Sequence, residues 1–122
     1  HYSSIPNVVY TSPEMASVGF TEAELKERGV DFLSASYPFK GNSRARCTSE
    51  EEGFVKVFVE KKNDRVLGVH IIGANASELI AEGVLALGKP SKEVGELCHA
   101  HPTFSESFKE ATLALYKKAI HR

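Results

Sequence analysis

Apolar positions along the chain change period about midway. Over residues 54 to 60 they alternate, with Val55, Val57 and Val59 on one face and Lys56 and Glu60 on the other, the period of a strand with one buried face. Lys62-Asn63-Asp64-Arg65 is turn chemistry, and Val66 to Ile72 returns as a second strand, which makes a hairpin. Earlier, Val8-Val9-Tyr10 reads as a short strand stopped by Pro13, Ala16 to Phe20 as another, and Phe32 to Tyr37 as a third limited by Pro38. Later the period lengthens: Leu79, Ile80, Val84 and Leu87 fall at helical spacing, which predicts a helix over Ser77 to Leu87.

Local signals bound the remaining elements. Thr21 followed by Glu24 is a capping box, and Gly29 suits the left-handed position after that helix. Gly41 to Glu52 is polar and predicted to be a loop, with Arg44 and Arg46 inside it. Ser91 is the expected cap of a short helix ending near Leu97. Thr103 is expected to open a last helix running to about Ile120. Strands early and helices late predict an α+β fold: an antiparallel β-sheet with helices packed on one face.

Composition narrows the picture. A chain of 122 residues has the size of a single domain. The 15 basic and 16 acidic residues leave a formal net charge of -1, which gives no electrostatic case for nucleic acid. No apolar run reaches the ~20 residues of a membrane span; Glu82 and Gly83 interrupt the one from Leu79 to Leu87. His1-Tyr2-Ser3-Ser4 has neither the basic start nor the apolar stretch of a signal peptide. Cys47 and Cys98 form no CxxC, no pair of redox cysteines and no disulfide framework, which favours a reducing compartment.

The chemically informative segment is Cys98-His99-Ala100-His101-Pro102-Thr103-Phe104-Ser105-Glu106. Thr103 and Glu106 have capping-box spacing, which points the carboxylate back toward the incoming chain, where His101 sits. A carboxylate against an imidazole favours the protonated ring and fixes which nitrogen holds the proton. Pro102 restricts His101 to extended geometry, and the bond between them is a candidate for the cis form. On residues alone three readings stay open: a plain helix cap, a tuned base, and a metal site using Cys98, His99 and His101. The last lacks a recognisable set of four ligands, so no metal is assigned. Cys98 reads as a small buried residue, His99 as a packing or hydrogen-bonding group, His70 as structural, Arg44 and Arg46 as solvated, and Tyr10 and Pro13 as core and turn.

At this segment HAHPTFSESFKEA resembles the C-terminal signature of the dihydrolipoamide dehydrogenase family, within the pyridine nucleotide–disulfide oxidoreductases. VVYTSPEMASVGFTEAEL from Val8, NSRA from Asn42, GFVKV from Gly53 and LGVHIIGANASELIAE from Leu67 are similar to the same family, in the same order. The resemblance implies that residues 1–122 are a dimer-interface domain, a fragment of a longer flavoenzyme. It implies His101 and Glu106 as catalytic residues, a base and its carboxylate partner, lent to the other subunit of a homodimer. The backbone of His101 and Pro102 is then expected near the partner subunit's FAD. The implied reaction oxidises dihydrolipoamide and reduces NAD. The implied partners are lipoyl domains and the core of 2-oxo acid dehydrogenase complexes, with no nucleic acid and no membrane. The location is the mitochondrial matrix in a eukaryote and the cytoplasm in a bacterium.

The chain departs from the whole enzyme in lacking a GxGxxG turn and the redox cysteine pair, and its Gly88–Ser91 connection is shorter than the family's. Alternatives are the interface domain of a related disulfide reductase, such as glutathione reductase, and a stand-alone dimerisation or metal-binding module. A dimer surface is expected on the helices from Ser77 and from Thr103, with Phe104, Phe108, Leu115 and Tyr116 as its apolar positions. The chain alone is predicted to lack dehydrogenase activity and to bind no FAD. Stoichiometric flavin absorbance copurifying with it would overturn that expectation.

Overall fold

The computed structural model describes residues 2–117, 119 and 120; His1, Lys118, His121 and Arg122 lie outside that description. Five strands form one sheet: β1 (Asn7–Val9), β2 (Glu14–Gly19), β3 (Phe32–Pro38), β4 (Phe54–Glu60) and β5 (Val66–Gly73). Their order is β1-β2-β5-β4-β3 and every neighbouring pair is antiparallel. The expected hairpin is β4–β5, in register from Phe54↔Ile72 to Val57↔Val69, with an irregularity at Phe58/Val59. The described residues also form the α-helices α1 (Glu22–Glu27), α2 (Ser43–Cys47), α3 (Ala76–Ala86), α4 (Ser91–Glu96) and α5 (Glu106–Ala114). This is the α+β architecture that the order of periods predicts.

The alternation in β4 and β5 decides where the core lies. Val55, Val57, Val59, Val69 and Ile71 are buried and join Ala16, Val18 and Tyr37 in one cluster. Ile80 of α3 and Phe108 and Ala111 of α5 close the same cluster from above. A smaller aromatic group forms around Phe58, edge-on to both Phe32 and His70. Gly73, at a φ of 154°, is needed because a Cβ there would meet the Phe39 ring at 2.4 Å. Fully buried Phe39 in turn packs edge-on against Phe104, so the end of β5 supports the segment ahead of α5.

The caps hold some surprises. The Thr21–Glu24 capping box forms as expected, with reciprocal bonds of 3.2 and 3.3 Å. Ser91 does not cap α4 by itself. Asp64, from the β4–β5 turn, supplies the cap across the fold: its carboxylate accepts from Ser91 Oγ at 2.6 Å and from the Lys92 N–H at 3.1 Å. The Tyr116 hydroxyl donates to the same carboxylate. The polar stretch 41–52, expected to be a loop, follows on from a 3-10 turn at Phe39–Gly41 and contains the helix α2. Local apolar periodicity is too weak to announce α2; it forms because the Asn42 side chain caps it. The last helix starts at Glu106, later than Thr103, and ends at Ala114, short of Ile120. The backbone of Ile120 instead donates to the Glu110 carboxylate at 2.7 Å.

One packing expectation needs correction. Tyr10 is not core: it lies past β1 and is 77% exposed. The apolar positions expected on a dimer surface between Thr103 and Ile120 also make contacts within the chain. Phe108 is buried, Phe104 and Leu115 pack against the core, and Tyr116 is tied to Asp64. Large apolar groups left exposed include Val9, Met15 and Leu85, on the first two strands and α3.

Burial works against the charge on Asp64, but the bonds from Ser91, Tyr116 and the Lys92 N–H outweigh it and hold the carboxyl below its ordinary value. A carboxyl lowered in the folded state contributes stability that is present above its unfolded pKa of about 3.9 and lost as pH falls through the lower folded value. Asp64→Ala is expected to cost about 1–3 kcal/mol at neutral pH, as for a hydrogen-bonded charge, and Asp64→Asn to flatten the loss of stability below about pH 4. Urea unfolding across pH checks both; an unchanged acid slope in Asp64→Asn would contradict this role.

Candidate active site

Between α4 and α5 the chain has little regular structure, so side-chain bonds must set its path. The peptide bond between His101 and Pro102 is cis. The Thr103 hydroxyl turns back to donate to the Ala100 carbonyl at 2.8 Å. Only half of the expected second capping box therefore forms: the Thr103 N–H donates to Glu106 Oε1 at 2.9 Å, while the hydroxyl is spent elsewhere. That explains why α5 begins at Glu106.

His101 and Glu106 are brought together as the sequence suggests. Nδ1 of His101 lies 2.9 Å from both carboxylate oxygens. The His101 side chain is 56% exposed, whereas that of Glu106 is 19% exposed. An ionised carboxylate only accepts, so Nδ1 carries a proton and Nε2 becomes the nitrogen available for proton exchange. Pro102 is exposed beside it.

Three further side chains clamp this segment. His99, its side chain only 9% exposed, bonds Glu82 of α3 through Nε2 at 3.0 and 3.2 Å and the Leu97 carbonyl through Nδ1 at 3.1 Å. Lys109 Nζ donates to the same carbonyl at 2.8 Å. On the other side, buried Asn42 donates through Nδ2 to the Thr103 carbonyl at 2.9 Å and to Ser107 Oγ at 2.8 Å. Its Oδ1 accepts from the Ala45 N–H at 2.9 Å. Nearby, Tyr37 donates to the Gly41 carbonyl at 3.0 Å. Burial first, then the charges of Glu110 and Glu106, push its phenol above the ordinary value against the opposing charge of Arg46.

The remaining candidates separate. His70 Nε2 pairs with the Phe20 carbonyl at 3.0 Å, a structural role. Arg44 and Arg46 sit on exposed positions of α2, and Arg46 Nε donates to the Lys40 carbonyl at 2.8 Å. Cys98 is not buried as expected: both it and Cys47 are exposed free thiols. Among the described residues no three His, Cys, Asp or Glu side chains converge for a metal. The periodicity gives no warning of Glu82 or Asn42. Glu82 registers there only as a charge interrupting an apolar run, and Asn42 as part of a polar stretch; their partners lie too far away in sequence for any local pattern to show.

Residues 5–112 match the model of the pyridine nucleotide-disulphide oxidoreductase dimerisation domain. The chain belongs to this family. It is 51% identical over 99% of its length to dihydrolipoamide dehydrogenase of Chaetomium thermophilum, and 50% identical over 98% to the mitochondrial dihydrolipoyl dehydrogenase of Pisum sativum. In both cases it spans 24% of the relative. The solved structure of LpdA from Mycobacterium tuberculosis superposes with a TM-score of 0.87 at 27% identity, over 94% of this chain and 26% of that one. The chain therefore spans about a quarter of the length of the proteins it matches.

The chain has no GxGxxG turn of the dinucleotide-binding kind. What it offers is an edge: an imidazole on an exposed turn with its carboxylate behind it. If His99–Glu82 fixes that edge, Glu82→Ala should destabilise the fold by about 1–3 kcal/mol by leaving a buried donor without its carboxylate. Thermal unfolding of the variant checks this, and an unchanged midpoint would contradict it.

Proposed function

We propose that this chain is the dimer-interface domain of an FAD-dependent dihydrolipoamide dehydrogenase, supplying His101 as the base and Glu106 as its partner to the other subunit of a homodimer. The observation that carries the reading is the His101 Nδ1–Glu106 contact at 2.9 Å on an exposed turn. High identity to dihydrolipoamide and dihydrolipoyl dehydrogenases over nearly the whole chain supports the lipoamide substrate over that of other disulfide reductases.

A dithiol attacks a disulfide only as thiolate. Nε2 of His101 takes the proton from a dihydrolipoamide thiol. The resulting sulfur bonds to one sulfur of the partner subunit's redox disulfide, that S–S bond breaks, and the other sulfur leaves as thiolate. Glu106 does not move a proton. It keeps Nδ1–H in place and stabilises the imidazolium that forms opposite the thiolate. The second dihydrolipoamide thiol then attacks the substrate sulfur of that mixed disulfide, closing lipoamide and freeing the second enzyme sulfur as thiolate; FAD and NAD, held by the rest of the enzyme, would supply the acceptor for that electron pair, and the backbone of His101 and Pro102 would lie near the flavin. The protein partners on this reading are lipoyl domains and the core of 2-oxo acid dehydrogenase complexes. The location is the matrix in a eukaryote and the cytoplasm in a bacterium.

In the whole enzyme His101→Ala is expected to slow flavin reduction by dihydrolipoamide ~10²–10⁴-fold, the usual worth of a general base, while NADH still reduces the flavin normally. Glu106→Gln is expected to cost less. Stopped-flow flavin reduction across pH reads both variants. Wild-type flavin reduction by dihydrolipoamide in His101→Ala would refute the assignment.

A further inference from the structure

We infer that Asn42 is a positioning residue for the His101–Glu106 pair; the inference rests on the base reading above. Asn42 stands far from the pair in sequence and holds both flanks of Glu106. Its amide nitrogen donates to the Thr103 carbonyl and to the Ser107 hydroxyl, at 2.9 and 2.8 Å. Thr103 is the residue whose N–H reaches Glu106 Oε1, and Ser107 follows Glu106 in α5. Fixing these two residues fixes where the carboxylate sits, and so where it aims the imidazole.

The site is built for an amide. Asn42 is 4% exposed and Ser107 is fully buried. Oδ1 accepts from the Ala45 N–H while Nδ2 donates twice. An aspartate of the same shape keeps the first bond and cannot make the donation to the Thr103 carbonyl; two oxygens face each other instead. The defect falls on the turn that carries His101, because α2 keeps its cap. Small misplacements of a catalytic group are costly: about 1 Å can lose ~10²-fold in rate.

The test is Asn42→Asp in the complete flavoenzyme, beside Glu106→Gln, His101→Ala and the double variant Asn42→Asp/Glu106→Gln. Flavin reduction by dihydrolipoamide is expected to fall about tenfold to a hundredfold, in kcat rather than in the KM for NAD, with NADH-to-flavin transfer unchanged. The pH profile of flavin reduction should change in the same way as in Glu106→Gln. The double variant should be no slower than the slower single one, since both act through one carboxylate. A wild-type dithiol rate and pH profile in Asn42→Asp, or losses that multiply in the double variant, would overturn the inference. If Asn42→Asp yields no folded holoenzyme, Ser107→Ala replaces it: a smaller loss with the same pH shift supports the inference, and wild-type behaviour overturns it. His101→Ala separates the two claims. A crippled His101→Ala beside an indifferent Asn42→Asp removes only the positioning role, and an active His101→Ala removes the base itself.

Discussion

One carboxylate serves two donors, and the site depends on it. Glu106 accepts from the Thr103 N–H and from His101 Nδ1, each at 2.9 Å. The first bond shapes the turn; the second orients the ring. Since the turn has no strand or helix to hold it, an error in either bond reaches the imidazole directly. Charge and geometry coincide here: the carboxylate that completes the helix start also fixes which ring nitrogen holds the proton.

The surrounding fold supplies what this turn lacks. Glu82 on α3 holds His99 on one side, and Asn42 at the start of α2 holds Thr103 and Ser107 on the other. Phe39 seats Phe104 from below, and the Asp64 carboxylate in the β4–β5 turn ties α4 and Tyr116 to the sheet. Most of these ties are polar and part-buried. Among the described residues no buried side-chain nitrogen or oxygen is left without a hydrogen-bond partner. That matters because an unsatisfied buried group costs more than a made bond contributes.

How much of this is legible in the sequence depends on range. Val55, Val57 and Val59 announce β4 because the period of a strand is local, and Thr21 with Glu24 announces the start of α1 for the same reason. His101 and Glu106 are close enough in sequence for their pairing to be anticipated. Asn42 and Thr103, Glu82 and His99, and Asp64 and Ser91 are not: each pair spans a stretch of chain whose path only the finished sheet determines. The same limit explains why Tyr10 and Phe108 stand where local pattern does not expect them. Tyr10 looks like core because it follows two valines, yet β1 ends at Val9 and leaves it 77% exposed. Phe108 looks like a spare apolar position on α5, yet the sheet face needs it.

The central claim is that His101 works on the partner subunit's dithiol site, and a hybrid dimer tests it most directly. One subunit carries His101→Ala with its redox disulfide intact; its partner keeps His101 and has the redox cysteines replaced. If the base is lent across the two-fold interface, the intact disulfide meets an intact His101, and the hybrid oxidises dihydrolipoamide at one working site per dimer. A hybrid as inactive as either parental variant, with flavin bound and dimers confirmed, would contradict the account.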